Sequence, residues 1–259
     1  AVALLMADLF IDVKRRSLLH FLAITVLLAT LLITVRDLTS TTITAFSGMF
    51  IRDLASDILK ITVYVVTAFS FIYAKPYLIE RGLYKSEYYV LCLFAVLGMM
   101  LMISAGNLTV LYLGLELVAL SSYGLVGLDR DNPIASEAAM KYFVLGAIAS
   151  GLLLYGMSMM YGATGSLQLD TIYLAAAQTT SPFMFKLGVV FILAGIAFKF
   201  GAAPFHMWLP DVYQGAPTAV TAFISSAPKL AAFAMAYRLL ESAAGVAASD
   251  WVPMLAGIA

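Results

Sequence analysis

Long, uninterrupted apolar blocks dominate this sequence and restrict the folds that it can adopt. A helix needs about 20 apolar residues to cross a bilayer, and only helices and closed barrels satisfy the backbone inside lipid. The blocks are continuously apolar and do not alternate with polar residues, so they favour helices. The predicted spans cover about 17–36, 57–75, 87–105, 108–128, 134–162, 183–213 and 217–241, with a partial span over 1–12 and another beginning at Trp251.

The low content of charge argues against a water-soluble enzyme. Charged residues make up 12% of the 259 residues, whereas about one quarter is typical of soluble domains. The 15 basic and 15 acidic residues balance, so no charge excess points to nucleic acid. The one cysteine, Cys92, excludes a disulfide framework and a cysteine-based iron–sulfur site in this chain. We therefore expect an all-α integral membrane protein, a multi-span helical bundle in contact with the lipid bilayer.

Lysine and arginine residues between the spans predict the orientation of the chain. They cluster at Lys14–Arg16, Lys75–Lys85 and Arg130, in loops that share one side if every block crosses. The long loops at about 37–56 and 163–182 fall on the opposite side. Because basic loops stay in the cytoplasm, we expect the long loops to face outward. The chain begins without methionine and stops inside an apolar run, so we expect a fragment of a longer protein.

Three ionisable residues, Glu116, Lys199 and Lys229, lie well inside predicted spans, where a charge costs roughly 2.5–3.5 kcal/mol and is a functional hypothesis by default. Glu116 lies near the middle of its span with apolar flanks. Lys199 lies about halfway along the 183–213 block, and the Gly201–Pro204 segment should break the helix just after it. Broken helices place ion sites at mid-membrane in transporters. The alternatives are a structural carboxyl at Glu116 and a snorkelling Lys199 beside a packing kink.

Lys229 is the third buried candidate. Thr218, Thr221, Ser225 and Lys229 recur at spacings of three and four, which predicts one helix face. Hydroxyl groups both donate and accept hydrogen bonds, so a hydroxyl stripe ending at an ammonium suits a water-lined proton path. The alternative is that the small hydroxyl residues only pack against a neighbouring helix.

Lys141 and His206 are secondary candidates. Lys141 lies about two turns into the sixth span, four residues after Glu137, and is either a snorkelling anchor or an entrance-side relay. His206 follows Pro204 and could titrate, or it could be a hydrogen-bonded structural residue. The sequence contains neither a phosphate-binding loop nor a metal-ligand motif, so we expect no cofactor or metal in this chain.

Buried ionisable groups without a redox centre favour movement of protons or cations over bond chemistry. Burial favours a neutral lysine, and an opposing carboxylate restores its charge. Movement of Glu116 relative to Lys199 would therefore switch Lys199 between holding and releasing a proton, which Lys229 could receive. Pumping against 100 mV costs ~2.3 kcal/mol per charge, so a partner must supply the energy.

Several motifs resemble a known family. The run from Phe198 to Pro217 reads FKFGAAPFHMWLPDVYQGAP and resembles the signature of the antiporter-like subunits of respiratory complex I, the NADH–quinone oxidoreductase. GLEL at Gly114–Leu117 is similar to the glutamate motif of that family, and SEAAMKYF at Ser136–Phe143 is similar to the start of its sixth helix. The DVYQGAP segment is most similar to the bacterial N-type subunits, and less so to the L- and M-type subunits and the Mrp antiporters.

The resemblance implies an architecture and a role. It implies inverted repeats, with N-terminal helices over 1–86, a first five-helix repeat over 87–241 and the start of a second over 242–259. Glu116 and Lys199 would form a coupled pair and Lys229 would be the central relay of a proton-translocating enzyme subunit, while the exit-side lysine of the family would lie beyond Ala259. FMN, iron–sulfur clusters and quinone would belong to partner subunits in a bacterial inner membrane. An Mrp-like cation/proton antiporter and a structural scaffold of the complex remain the alternatives.

Overall fold

The computed structural model describes residues 2–8, 17–38 and 40–258, and most of them are helical. Seven segments in this part of the chain are long and apolar enough to cross a membrane, which confirms the multi-span prediction. The predicted basic cluster Lys14–Arg16 lies outside the described residues. The helices and strands are α1 Val2–Asp8, α2 Ser17–Arg36, β1 Ile43–Ala45, β2 Phe50–Arg52, α3 Leu54–Glu80, α4 Ser86–Ile103, α5 Leu108–Val126, α6 Pro133–Thr164, α7 Leu169–Ala176, α8 Pro182–Phe200, α9 Trp208–Gly215, α10 Thr218–Ile224, α11 Ala227–Leu240 and α12 Ala248–Ile258.

Three loops meet at one end of the bundle, which we call the outer end. β1 and β2 pair as an antiparallel hairpin between α2 and α3. Ile51 N–H of this hairpin donates to the carbonyl of Ser104 between α4 and α5 at 2.8 Å. Leu108 N–H donates to the carbonyl of Leu167, between α6 and α7, at 2.9 Å. The long loops therefore lie on the same side, as the alternation of spans predicts.

Side-chain caps mark where the helices begin at the loops. Asp53 accepts a hydrogen bond from Ser56 N–H at 2.8 Å, and Ser56 Oγ accepts one from Asp53 N–H at 3.0 Å. This reciprocal capping box satisfies two backbone donors at the start of α3. Asn107 accepts from Val110 N–H at 2.8 Å and starts α5 directly after the outer turn. The caps fix the register at which α3 and α5 leave the outer end.

Glycine residues bring two pairs of helices into backbone contact. A Cβ atom on Gly114 of α5 would lie 2.7 Å from the carbonyl oxygen of Gly98 on α4. A Cβ atom on Gly156 of α6 would lie 2.6 Å from the carbonyl oxygen of Gly188 on α8. Small residues let transmembrane helices approach this closely. The two contacts set the relative positions of the helices that carry the charged candidates.

Substitution of Gly156 by alanine tests the α6–α8 contact. We expect Gly156→Ala to destabilise the protein by about 1–3 kcal/mol, because the added methyl group forces the helices apart. Gly151→Ala is a matched control in the same helix, since a Cβ there meets nothing within 4 Å. The thermal unfolding midpoint in detergent should fall for Gly156→Ala and stay close to the parent for Gly151→Ala. Equal midpoints for the two variants would contradict the contact.

The predicted block at 183–213 forms two helices. α8 ends at Phe200 and α9 begins at Trp208. Gly201 adopts a left-handed φ of 72° and its N–H donates to the carbonyl of Phe198 at 3.0 Å. Glycine takes this conformation without the steric cost of a Cβ. The break near Gly201–Pro204 is confirmed, but Lys199 lies in the last turn of α8 and not midway along a helix.

The predicted block at 217–241 is also interrupted, which the sequence interpretation did not foresee. α10 ends at Ile224, and α11 begins at Ala227. Pro228 has no N–H to donate to the carbonyl of Ile224, four residues earlier, and its ring disfavours a continuous helix there. The prediction of a single helix face from Thr218 to Lys229 is therefore wrong. The Thr221 hydroxyl instead donates to the Tyr213 carbonyl at 3.1 Å.

Candidate functional site

The broken end of α8 is closed by two side chains from outside the helix. Lys229 Nζ donates to the carbonyls of Lys199 at 2.9 Å and Phe200 at 2.8 Å. Trp208 Nε1 donates to the carbonyl of Phe198 at 3.0 Å. The last carbonyls of a helix carry the negative end of its dipole, which favours a nearby cation. The arrangement therefore binds the Lys229 side chain directly beside Lys199.

Trp208 also positions Lys229 through its ring. The Lys229 Nζ lies 5.2 Å from the ring centroid of Trp208, within the range of a cation–π interaction. The Trp208 ring stacks on Tyr142 of α6, with centroids 4.8 Å apart and planes at 10°. Trp208 is only 3% exposed. The sequence analysis did not identify Trp208 as part of the site, although its place just after a predicted helix break was a usable signal.

Glu116 is half-buried on α5 and faces α6. The Ser150 hydroxyl donates to Glu116 Oε1, and the Tyr112 hydroxyl lies 3.1 Å from Ser150 Oγ. Ser150 was also missed by the sequence analysis, because a small residue in an apolar helix first suggests close helix packing. A hydroxyl group on the α6 face toward α5 thus supplies a hydrogen-bond donor to the half-buried carboxylate.

The antiparallel register of α6 and α8 sets the level of Lys199. Leu153 of α6 packs directly against Gly195 of α8. Ser150 precedes Leu153 by about one turn of α6, and Lys199 follows Gly195 by about one turn of α8. Because the two helices are antiparallel, both steps lead toward the inner end, and Ser150 lies level with Lys199. Since Ser150 contacts Glu116, the carboxylate and the lysine occupy the same depth of the bundle.

The structure thus brings the three primary candidates together. Glu116 of α5 contacts Ser150 of α6 at the level of Lys199 of α8, and Lys229 of α11 binds the Lys199 carbonyl. One carboxylate and two amines can each hold or release a proton, so the group is chemically able to pass protons. Among residues 2–8, 17–38 and 40–258, no three His, Cys, Asp or Glu side chains cluster as metal ligands.

The secondary candidates occupy different surroundings. Lys141 Nζ pairs with Glu137 Oε1 at 2.8 Å, as the spacing predicts, and with Asp211 Oδ2 at 2.8 Å. All three side chains line a cavity of about 190 Å³ between α6 and α9. His206 lies in the segment between α8 and α9 and is exposed. Sequence spacing could not supply Asp211 as a partner, because it lies 70 residues after Lys141.

A further charged cluster, absent from the sequence analysis, lies at the outer end. Arg238 Nη2 of α11 pairs with Asp53 Oδ2 at 2.7 Å, and Arg52 Nε pairs with Asp57 at 3.0 Å. Lys60 is 7% exposed, and its ammonium lies 5.0 Å from the Phe50 ring centroid. The partners come from the hairpin, α3 and α11, so only the tertiary fold brings them together.

Curated relatives are similar to the chain over nearly all of its length. It is 51% identical over 255 residues to NADH-quinone oxidoreductase subunit N of Thiobacillus denitrificans, covering 97% of this chain and 52% of the relative. It is 52% identical over 258 residues to the subunit N of Xanthomonas euvesicatoria, covering 100% of this chain and 53% of the relative. The chain therefore spans about half the length of the curated relatives that it matches.

Solved structures and a family model agree with this similarity. A chain of respiratory complex I from Thermus thermophilus with bound aureothin matches with a TM-score of 0.76 and 32% identity, over 92% of this chain and 50% of that chain. A chain of the Mrp complex from Dietzia shares the fold, with a TM-score of 0.75 and 24% identity, over 93% of this chain and 47% of that one. The model for the NADH:quinone oxidoreductase/Mrp antiporter transmembrane family matches residues 105–259. The chain belongs to this family of antiporter-like membrane subunits.

Proposed function

We propose that this chain is part of a proton-translocating membrane subunit of NADH–quinone oxidoreductase, in which Glu116, Lys199 and Lys229 relay the proton. One observation carries the proposal: Lys229 is bound at the open end of α8 beside Lys199. The names of the relatives at about half identity support the enzyme complex as the setting. Residues 87–241 would form the first repeat of the complete subunit.

The proposed relay depends on electrostatic coupling between the three side chains. A nearby ionised Glu116 favours the charged form of Lys199. Two ammonium groups in one site repel each other, so protonation of one lysine favours release from the other. A change in the charge or position of Glu116 would therefore move a proton from Lys199 toward Lys229. Redox chemistry at FMN, iron–sulfur clusters and quinone in partner subunits of a bacterial inner membrane would drive that change.

Substitution of Glu116 by glutamine tests the proposal. The amide oxygen can still accept the hydrogen bond from Ser150, but the side chain can no longer ionise. We expect proton transfer to slow by about 10²-fold or more, in line with the loss of a general acid–base group. NADH-driven proton translocation per electron should be measured in vesicles containing the complete enzyme. Glu80→Gln, at the exposed end of α3, is the matched control and should pump like the parent.

Two outcomes would favour the alternative functions. Sodium-dependent proton exchange by the protein without NADH would indicate an Mrp-like antiporter. Undiminished proton translocation in a variant that combines Glu116→Gln, Lys199→Met and Lys229→Met would indicate a structural scaffold. The first outcome contradicts the NADH-driven function, and the second contradicts the relay. The assembled complex should be quantified in each variant so that loss of protein is not mistaken for loss of transport.

A further inference from the structure

Glu116 has a chain of hydroxyl groups on its outer side. Ser150 donates to the carboxylate, and the Tyr112 hydroxyl lies 3.1 Å from Ser150 Oγ. Serine has one hydroxyl hydrogen, which is directed at Glu116, so Tyr112 must be the donor in the second bond. Tyr112 lies one helical turn closer than Glu116 to the outer end of α5. Both donors therefore point from the outer half of the bundle toward the carboxylate.

The hydroxyl chain ends at a cavity near the outer end of the bundle. This cavity has a volume of about 230 Å³, which is large enough for several water molecules. The cavity is open to the surface of the bundle, and its wall combines the hydroxyl residues Tyr112, Thr109, Ser158 and Tyr161 with the apolar residues Leu108, Leu154, Met157 and Leu167. The cavity thus places polar groups that can hold water within one hydroxyl of Ser150.

Aromatic rings close the inner side of Glu116. Tyr123 lies about two turns nearer the inner end of α5, and its ring contacts that of Tyr142 with centroids 4.8 Å apart. Tyr142 stacks on the buried Trp208. Gly146 leaves the space that the Tyr123 hydroxyl occupies against α6, because a Cβ there would collide with it. On this side the packed rings of Tyr123, Tyr142 and Trp208 lie between Glu116 and the inner end of the bundle.

We propose that Glu116, in this conformation, exchanges protons with the outer side through Ser150 and Tyr112, while the Tyr123–Tyr142–Trp208 stack blocks the inner side. In uptake, a hydronium ion that reaches the cavity from the outer side gives a proton to the Tyr112 oxygen and becomes water. The Tyr112 hydrogen moves to Ser150 Oγ, and the Ser150 hydrogen moves to the Glu116 carboxylate. Each hydroxyl group accepts one proton and gives one, so both are regenerated, and release reverses the steps. The inference rests on the proposed role of Glu116 as a proton carrier.

The first test determines which side of the membrane reaches the cavity. Ser158→Cys should be introduced with Cys92→Ala, so that the new thiol is the one target in this part of the chain. In the complete enzyme, a membrane-impermeant maleimide should label this thiol in right-side-out vesicles and not in inverted vesicles. Glu137→Cys, in the cavity beside Lys141, is the reciprocal control and should be labelled from the inner side. Labelling of Ser158→Cys from the inner side alone would overturn the proposal.

The second test follows the Glu116 carboxyl itself. Its infrared C=O band, identified by its loss in Glu116→Gln, should respond to a pH jump on the outer side of the vesicles. Tyr112→Phe and Ser150→Ala should each slow that response more than tenfold, and Ser150→Thr, which restores a hydroxyl, should recover it. Tyr155→Phe and Ser70→Ala are the matched controls, because the Tyr155 ring packs against Phe191 and the Ser70 hydroxyl donates to the Val66 carbonyl within α3.

The outcomes separate this inference from the proposed function. An unchanged response rate in both Tyr112→Phe and Ser150→Ala contradicts the hydroxyl path and leaves Glu116 as a carrier. A response to pH on the inner side alone contradicts the sidedness. A Glu116 band that never changes during NADH oxidation contradicts the proposed function, and the inference falls with it.

Discussion

Replacement of Lys229 by arginine should preserve the end of α8 and stop proton transfer. Arginine can donate to the Lys199 and Phe200 carbonyls that Lys229 now binds, and its guanidinium can lie on the Trp208 ring. It cannot release a proton at accessible pH, because its pKa exceeds 12 in proteins. Lys229→Arg thus separates the capping role of the side chain from its proposed role as a relay.

A methionine at the same position should have a second effect. Lys229→Met removes both donors and leaves the last carbonyls of α8 without their cation, so it should lower stability as well as transport. A buried polar group that is left without a hydrogen-bond partner lowers stability by about 1–3 kcal/mol. The matched pair is Lys186→Arg and Lys186→Met on the same α8, where the lysine is exposed and pairs with Asp250 at 2.9 Å.

Two measurements on the complete enzyme distinguish these effects. Proton translocation per electron should be lost in both Lys229 variants and retained in both Lys186 variants. The thermal unfolding midpoint should fall in Lys229→Met and remain near the parent value in Lys229→Arg. Normal pumping by Lys229→Arg would show that the side chain only closes the helix end, and the relay would then need another acceptor.

Loss of Arg238 should produce the largest decrease in stability. Its guanidinium is largely buried and pairs with Asp53 Oδ2 at 2.7 Å. Removing one partner of a buried pair costs roughly 3–5 kcal/mol, because the other charge stays behind. We expect about 3 kcal/mol for Arg238→Met, since Asp53 retains some contact with solvent. Arg81→Met, at the exposed end of α3, is the control and should change little.

A double variant identifies the cause of that loss. Asp53→Asn keeps an N-cap side chain at the start of α3 while removing the charge. Combined with Arg238→Met, it should recover part of the lost stability, measured as the thermal unfolding midpoint in detergent. If the double variant is less stable than Arg238→Met alone, the penalty does not come from an unpaired carboxylate.

The ion pair between Arg238 and Asp53 predicts that the outer hairpin is sensitive to acid. Burial acts to raise the pKa of Asp53, but the hydrogen bond from Ser56 N–H and the charge of Arg238 outweigh it and hold this pKa below its ordinary value of 3.8. A lowered pKa stabilises the folded chain above pH 3.8, and this contribution disappears as the pH falls through the lower folded value. As the pH is lowered, the hairpin amides should therefore lose their protection from hydrogen exchange at a higher pH in Arg238→Met than in the parent.

The apolar blocks were sufficient to predict the membrane-spanning architecture. Their lengths located seven spans, and Gly201 with Pro204 located the end of α8, because both signals are local in the sequence. The interruption before α11 was missed, although Pro228 carried the same local signal. A proline alone does not locate an interruption, because Pro76 lies within the continuous helix α3.

The sequence was sufficient to predict the charged residues of the candidate site but not the groups that they contact. Glu116, Lys199 and Lys229 stood out because a charge in an apolar block is rare. Lys229 donates to backbone carbonyls and Glu116 accepts from a serine, and neither kind of partner stands out in a sequence. Ser150 lies 34 residues from Glu116, and Lys229 lies 30 residues from the Lys199 carbonyl that it binds. Only the register between helices reveals such partners.

The two basic residues of α11 attach this helix to its neighbours at both ends. Lys229 holds its first turn to the end of α8, and Arg238 holds its last turn to the residue that follows the outer hairpin. The two attachment points are about 14 Å apart at 1.5 Å per residue. Any shift of the Lys229 end must tilt α11 about the outer attachment or strain it. The two attachments therefore link the position of the α8 end to that of the outer hairpin through a single helix.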